Sequence, residues 1–348
     1  MPDIIIKKVG RAGQITLNRP KALNALTYEM ILKIETALEK WREDQSVSIV
    51  IFDSTGDRAF CSGGDIADLY TEGKKGNFGF GQKFWKDEYR VNAKIHEYTK
   101  PVISFLHGFT MGGGVGIGCH ASHRIVCENT QIAMPECGIG LLPDVGGSLI
   151  LSNAPDGLGI YLGTTCKRMG PADAIYSGFA DTYIPQKNWQ KLKNILSETG
   201  NWKRITDYRE KLHESSLKKN AAIIKKYFQK DSIFEVTSGL KSAKNAFATE
   251  SLLSLNRSSP LSVACTVRLV NLLKKSNSIR DALNIEYRFT YRASEFGDFL
   301  EGIRAQIIEK DKKPRWKHKS LDNITSENVN FMLESLNENE LNLEKVLK

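Results

Sequence analysis

The stretch MPECGIGLLPD, residues 134–144, holds Glu136 and Asp144 in an apolar, glycine-broken context with no lysine or arginine to neutralise either. A buried carboxylate without a partner is costly, so the stretch is either an exposed loop or a site. Paired carboxylates serve as general acid and base, or as nucleophile and helper, at a carbonyl. Two glycine clusters precede them: Ser62-Gly63-Gly64-Asp65, after a strand and a turn, and Gly112-Gly113-Gly114, opening a helix after PVISFLHG (101–108). Glycine lets the backbone approach a ligand and adopt positive φ, and a helix start offers unpaired N–H groups with a partial positive charge. Two such loops could each aim one N–H at a developing oxyanion.

Other readings of the same letters fail or are blander. No G-x-x-x-x-G-K-[ST] string occurs, and Gly114, Gly116 and Gly118 miss a dinucleotide fingerprint because residue 119 is cysteine. Gly116 and Gly118 read as close helix packing. Cys119, His120 and His123 match no common zinc spacing and read as structural.

The elements that must position these residues alternate through the first half. IIIKKV and GQITLN read as paired strands joined by VGRAG. TYEMILKIETALEKWRED has Met30, Ile31, Ile34, Leu38 and Trp41 at helical spacing. SIVIFDS is a buried strand. The glycine-rich AFCSGGD is followed by EGKKGNFGFGQ (72–82), expected to be mobile, and by a helix around FWKDEYRVNAKIHEY. PVISFLHG is expected to run directly into a helix at MGGG, with strands at HRIVCEN and TQIAM beyond. Strand, strand, helix repeated along the chain argues for an α/β spiral. From about Ala154 the character turns helical, with a break at NRSSP (256–260) and two helices in 261–310. The expected organisation is 1–195 as a core carrying the site, 196–255 as a helical insertion and 256–348 as a C-terminal helical region. The last thirty residues are expected to form a short packed helix or a partly ordered tail.

With NRPKALNAL (18–26), AFCSGGDI (59–66), HGFTMGGGVGI (107–117), MPECGIGLLPDVGG (134–147) and FLEGIRAQIIEKDKKPRW (299–316), the chain resembles the crotonase (enoyl-CoA hydratase/isomerase) superfamily, and within it the 3-hydroxyisobutyryl-CoA hydrolase branch. The resemblance spans nearly the whole chain. It implies a crotonase-type spiral with a helical C-terminal region, and a thioester hydrolase of valine catabolism acting on 3-hydroxyisobutyryl-CoA, with 3-hydroxypropionyl-CoA as a further substrate. Hydratases of the superfamily use two glutamates. The first falls where this chain has Gly116; the second is kept as Glu136. Asp144 stands where hydratases typically carry glycine, and the pair Glu136 with Asp144 is the hydrolase pattern. The same comparison assigns the oxyanion hole to the N–H groups of Gly64 and Gly113, and substrate contact to Glu88 in KDEYRVN. A solvated helix carboxylate is the competing reading of Glu88. A cap on the helix beginning near VGGSLIL is the competing reading of Asp144. Another crotonase reaction, such as enoyl-CoA hydration or isomerisation, is the rival function.

The bulk numbers agree with a globular enzyme. The chain has 348 residues, 41% hydrophobic and 26% charged, enough for one large domain or two. Its six cysteines form no C-x-x-C pair or disulfide-like framework, which fits a reducing compartment. The net charge of +9 is weighted toward 186–230 and 310–318; it suits the phosphates of coenzyme A, while solvated helix faces explain most of it. No nucleic-acid motif accompanies the basic segment. Pro101–Cys119 is long enough to span a membrane, but its glycines and proline favour a buried strand and helix. No metal or redox cofactor is implied, coenzyme A being part of the substrate. A cytoplasmic, bacterial setting is expected, or the mitochondrial matrix for a processed eukaryotic form, and assembly into homo-oligomers is left open.

Overall fold

A computed structural model describes residues 2–274 and 276–343. The chain divides into two compact units, each discontinuous in sequence. One comprises Met1–Asp65, Arg90–Ala133 and Arg168–Lys219; the other comprises Ile66–Tyr89, Met134–Lys167 and Asn220–Lys348. Neither coincides with the contiguous segments 1–195, 196–255 and 256–348.

The first unit carries two sheets. Strands β1 (Ile4–Val9), β2 (Ala12–Leu17), β3 (Ile49–Ser54), β5 (Val102–Leu106), β7 (His123–Val126) and β9 (Thr182–Tyr183) lie side by side in that order. The β1–β2 pair is an antiparallel hairpin; every later pairing is parallel. Strands β4 (Ala59–Cys61), β6 (Phe109–Met111) and β8 (Gln131–Ala133) form a second, parallel sheet. Successive pairs β3/β4, β5/β6 and β7/β8 thus give one strand to each sheet, which is the strand–strand–helix spiral.

Parallel strands are covered on both faces, and IVIFD and VISFL are buried throughout. The helix Tyr28–Glu43 begins at Thr27, whose side chain accepts the Met30 N–H, an N-cap. It lies against β2 through Trp41: a Cβ on Gly13 would come within 2.4 Å of the indole.

Two local expectations are corrected. PVISFLHG does not run straight into the helix, because β6 intervenes before Gly113–Gly118. The stretch 72–82 is largely helical, with Ala67–Lys74 ending in a turn and Phe78–His96 starting six residues ahead of Phe84. Gly79 and Gly81 hid that start. A Cβ on Gly81 would meet Trp85 at 3.1 Å, so the small residue admits a neighbouring ring.

The second unit has no strand among its described residues. Its helix Pro260–Leu273 is buried along most of its length, starts at Ser259 with a proline at its first turn and packs on helices Gly147–Asn153 and Leu158–Thr165. Helix Ile279–Ala293 follows, capped by Ser278. A third helix, Phe299–Ile303, joins the two expected in 261–310. The terminal region forms the helix Ser326–Leu333, tied to Ile279–Ala293 by Arg288 on Glu340 at 2.9 Å and Arg292 on the Glu334 carbonyl at 2.9 Å. Residues 344–348 lie outside the described residues. No helix among the described residues is long and apolar enough to cross a membrane, and Pro101–Cys119 is broken into β5, β6 and a six-residue helix.

Candidate active site

The expected residues divide between the units: Gly64 and Gly113 lie in the sheet-bearing unit, Glu88, Glu136 and Asp144 in the helical one.

In the sheet-bearing unit the two glycine loops converge. Gly63 sits at φ +117 and Gly112 at φ +51, backbone regions that favour glycine. A Cβ on Gly63 would lie 3.3 Å from the Met111 carbonyl oxygen and 3.9 Å from the Gly113 nitrogen. The first loop is fixed by Leu26, whose N–H reaches the Gly63 carbonyl at 2.9 Å and whose own carbonyl accepts the Asp65 N–H at 2.7 Å. Gly113 is the first residue of its helix, where N–H groups lack intrahelical acceptors. The close approach depends on Gly114: a Cβ there would strike the Cys61 carbonyl oxygen at 2.4 Å.

In the helical unit Glu88, Glu136, Asp144 and Glu286 are shut away from solvent with no ion-pair partner among the described residues. Glu88 and Glu136 are 3% exposed, Asp144 4% and Glu286 0%. Glu136 follows β8 in the short turn Glu136–Ile139, which ends at Gly140 in the left-handed conformation. The turn is packed tightly, since a Cβ on Gly302 would lie 2.0 Å from the Ile139 carbonyl oxygen. Asp144 accepts a hydrogen bond from the Tyr89 hydroxyl at 2.8 Å. One oxygen each of Glu88 and Glu136 is buried with no hydrogen-bond partner. Buried polar atoms are normally satisfied, which sets these two oxygens apart from most of the interior.

Burial dominates the electrostatics. It pushes the Glu136 carboxyl well above the ordinary range, and the Asp144 charge adds to it. Glu88 is raised by the same two causes. Asp144 is pushed up to about 7 by burial, against the pull of the Tyr89 hydrogen bond. Glu286 is pushed up to about 8 by burial, against its bonds to Ser148 and the backbone. Burial and mutual repulsion thus both disfavour ionisation of these neighbouring carboxyls.

Neither competing reading describes the structure. Glu88 is not a solvated helix carboxylate. Asp144 is not the side-chain cap of the next helix, which runs from Gly147 to Asn153 with Gly146 at the cap. Glu286 takes that role: its carboxylate accepts the Gly146 N–H at 2.8 Å, the Ser148 N–H at 3.2 Å and the Ser148 hydroxyl. Tyr89, Ser148 and Glu286 are absent from the sequence reading. Glu286 had a signal, an acidic residue inside the buried stripe Ile279, Ala282, Leu283, Phe289, Thr290, Ala293. His120 packs edge-on to His96 and His123 stacks on Trp202, and no cluster of three or more metal-ligating side chains occurs among the described residues. All six cysteines are free thiols. The lysines and arginines of 186–230 are exposed except Lys193 and Lys230.

The comparisons place this strand–strand–helix spiral in a class of enzymes that act on acyl-CoA thioesters. The enoyl-CoA hydratase/isomerase family model matches residues 12–333, and the chain belongs to that family. Within it, the chain is 36% identical to the mitochondrial 3-hydroxyisobutyryl-CoA hydrolase of Danio rerio, over 98% of this chain and 92% of that one. It is 33% identical to the human enzyme of the same name, over 97% and 90%. Among solved structures, an enoyl-CoA hydratase from Rhodobacter sphaeroides 2.4.1 superposes with a TM-score of 0.93 at 46% identity, covering 98% of this chain and 99% of that one. A carnitinyl-CoA dehydratase from Mycobacterium thermoresistibile does so with a TM-score of 0.93 at 34% identity, covering 99% of each.

Proposed function

We propose that this chain hydrolyses 3-hydroxyisobutyryl-CoA, and 3-hydroxypropionyl-CoA as a second substrate, to the free hydroxy acid and coenzyme A. The observation that carries the reading is the pair Glu136 and Asp144, both buried with no ion-pair partner among the described residues, in a chain with glycine at position 116. Paired acid–base action across a C=C bond lacks its first glutamate there. The reading assigns the thioester carbonyl oxygen to the N–H groups of Gly64 and Gly113; one such donor contributes about 3–4 kcal/mol of transition-state stabilisation in other enzymes. Glu136 either takes a proton from water as the water oxygen bonds to the carbonyl carbon, or attacks that carbon to give a mixed anhydride that water opens. In both routes the C–S bond breaks and coenzyme A leaves as thiolate. A thiol of pKa about 8.5 needs little assistance to leave, which frees Asp144 to hold the substrate's 3-hydroxyl and orient water. Glu88 completes the substrate contacts. No cofactor takes part.

The test is release of coenzyme A thiol from 3-hydroxyisobutyryl-CoA by the wild type, Glu136→Gln and Asp144→Asn, with loss of the enoyl absorbance of crotonyl-CoA followed in parallel. Thiol release lowered about 100-fold or more by either substitution, with crotonyl-CoA untouched, is expected. Hydration is the rival, favoured by the name of the Rhodobacter sphaeroides structure; loss of the enoyl signal without thiol release would establish it instead. Oxygen-18 from labelled water appearing in Glu136 after one turnover marks the anhydride route, and its absence the general-base route.

A further inference from the structure

We infer that Glu286 is the positioning residue for Asp144: from helix Ile279–Ala293 it holds the turn that aims the Asp144 carboxylate. The inference rests on the catalytic assignment of Asp144 made above.

The turn after Asp144 is unusual. Val145 lies at φ +53 and Gly146 at φ +77, two consecutive left-handed residues. A β-branched residue in that region is an outlier, and such strain persists only where the surroundings over-determine the conformation. The determinant within the turn is the Gly147 N–H on the Asp144 carbonyl at 2.7 Å. The determinant from outside is Glu286. One of its oxygens takes the Gly146 N–H at 2.8 Å; the other takes the N–H of Ser148 at 3.2 Å and the Ser148 hydroxyl. The carboxylate thus bonds the residues on either side of Gly147, directly beyond the strained valine.

The same helix braces the other end of Asp144. Thr290, one turn beyond Glu286, meets the Tyr89 hydroxyl at 3.4 Å, and that hydroxyl donates to Asp144 at 2.8 Å. One helix face therefore supports the backbone of Asp144 through Glu286 and its carboxylate through Tyr89. Apolar packing alone would not explain a fully buried acid in this stripe; the bonds by which Glu286 caps the helix Gly147–Asn153 are the same bonds that fix the strained turn before it.

Glu286 accepts all three donors in its ionised form. Glu286→Gln keeps the shape, but its amide accepts at one oxygen only and turns an NH₂ toward the N–H of Gly146 or of Ser148. The variants are therefore compared at pH 9, above the value of about 8 to which burial pushes Glu286. We expect kcat for thiol release to fall about 10-fold or more, with any rise in KM confined to substrates that carry the 3-hydroxyl Asp144 holds. If Glu286 acts through Asp144, Asp144→Asn/Glu286→Gln will be no slower than Asp144→Asn alone. A folded Glu286→Gln enzyme with wild-type kcat overturns the inference, as does a loss of equal factor in the Asp144→Asn background. Wild-type turnover by Asp144→Asn itself would instead overturn the assignment of Asp144. Should Glu286→Gln fail to fold, Ser148→Ala removes one donor from the same carboxylate. It is expected to lower kcat about 2–5-fold in the wild-type background and not in the Asp144→Asn background; an additive loss overturns the inference.

Discussion

At the scale of single residues, Asp144 owes its protonation behaviour to two opposed causes. Burial raises its pKa, and the Tyr89 hydroxyl at 2.8 Å pulls it down by bonding the ionised form. Tyr89→Phe removes the second cause only. A hydrogen bond to a charged group contributes about 1.5–3 kcal/mol, and one pKa unit corresponds to about 1.4 kcal/mol. The acid limb of kcat/KM should therefore move upward by about one to two units, measured between pH 5 and 9. An unmoved limb would remove Tyr89 from the tuning of this carboxyl. Glu136 and Asp144 were legible in the sequence because their motif letters are local. Tyr89 and Glu286 were not, because their bonds join residues 55 and about 140 positions apart, and no short pattern records such a pairing.

At the scale of elements, glycine decides which segments can meet, and two alanine substitutions should have opposite signs. Gly114→Ala puts a methyl 2.4 Å from the Cys61 carbonyl oxygen, so the helix Gly113–Gly118 must withdraw from β4 and carry the Gly113 N–H with it. Overpacking of this kind costs about 1–3 kcal/mol. Denaturant titration should show that loss, with a fall in kcat of about 10-fold or more if the Gly113 N–H stabilises the oxyanion; full activity would dismiss Gly113 as a donor. Gly79→Ala, in the exposed first turn of helix Phe78–His96, meets nothing closer than the Asn77 side chain at 3.8 Å. It should gain about 0.5–1 kcal/mol from helix propensity, and a loss there would contradict the helix start. The same residues explain what the sequence reading caught and missed. The buried runs of β3 and β5 and the amphipathic Tyr28–Glu43 carry clear periods. Strand β6 is three residues long, too short for alternation to register, and Gly79 and Gly81 masked a helix whose stability comes from packing rather than propensity.

At the scale of the whole molecule, a site built from buried acids opposes the stability of the fold that holds it, and pH exposes the conflict. Asp144 ionises near pH 4 when unfolded and near 7 when folded. Between those values the native protein binds more protons than the unfolded chain, so its stability falls as pH rises. The contribution of Asp144 is fully favourable below about pH 4 and is lost by the time the pH passes 7. Glu88, Glu136 and Glu286 are raised by burial as well and push in the same direction. Asp144→Asn is neutral at every pH, and its carbonyl oxygen can still accept from Tyr89. Its melting temperature should match the wild type near pH 4, where both are neutral, and exceed it increasingly from there to pH 8, by about 8 °C or more. That follows from about three pKa units at about 1.4 kcal/mol each and roughly 2–4 °C per kcal/mol. An equal loss at both pH values would mean that the carboxyl contributes packing alone and is not held against its own ionisation. A gain confined to high pH, in a variant slowed in thiol release, would show one group being kept at the expense of stability for what it does to the substrate.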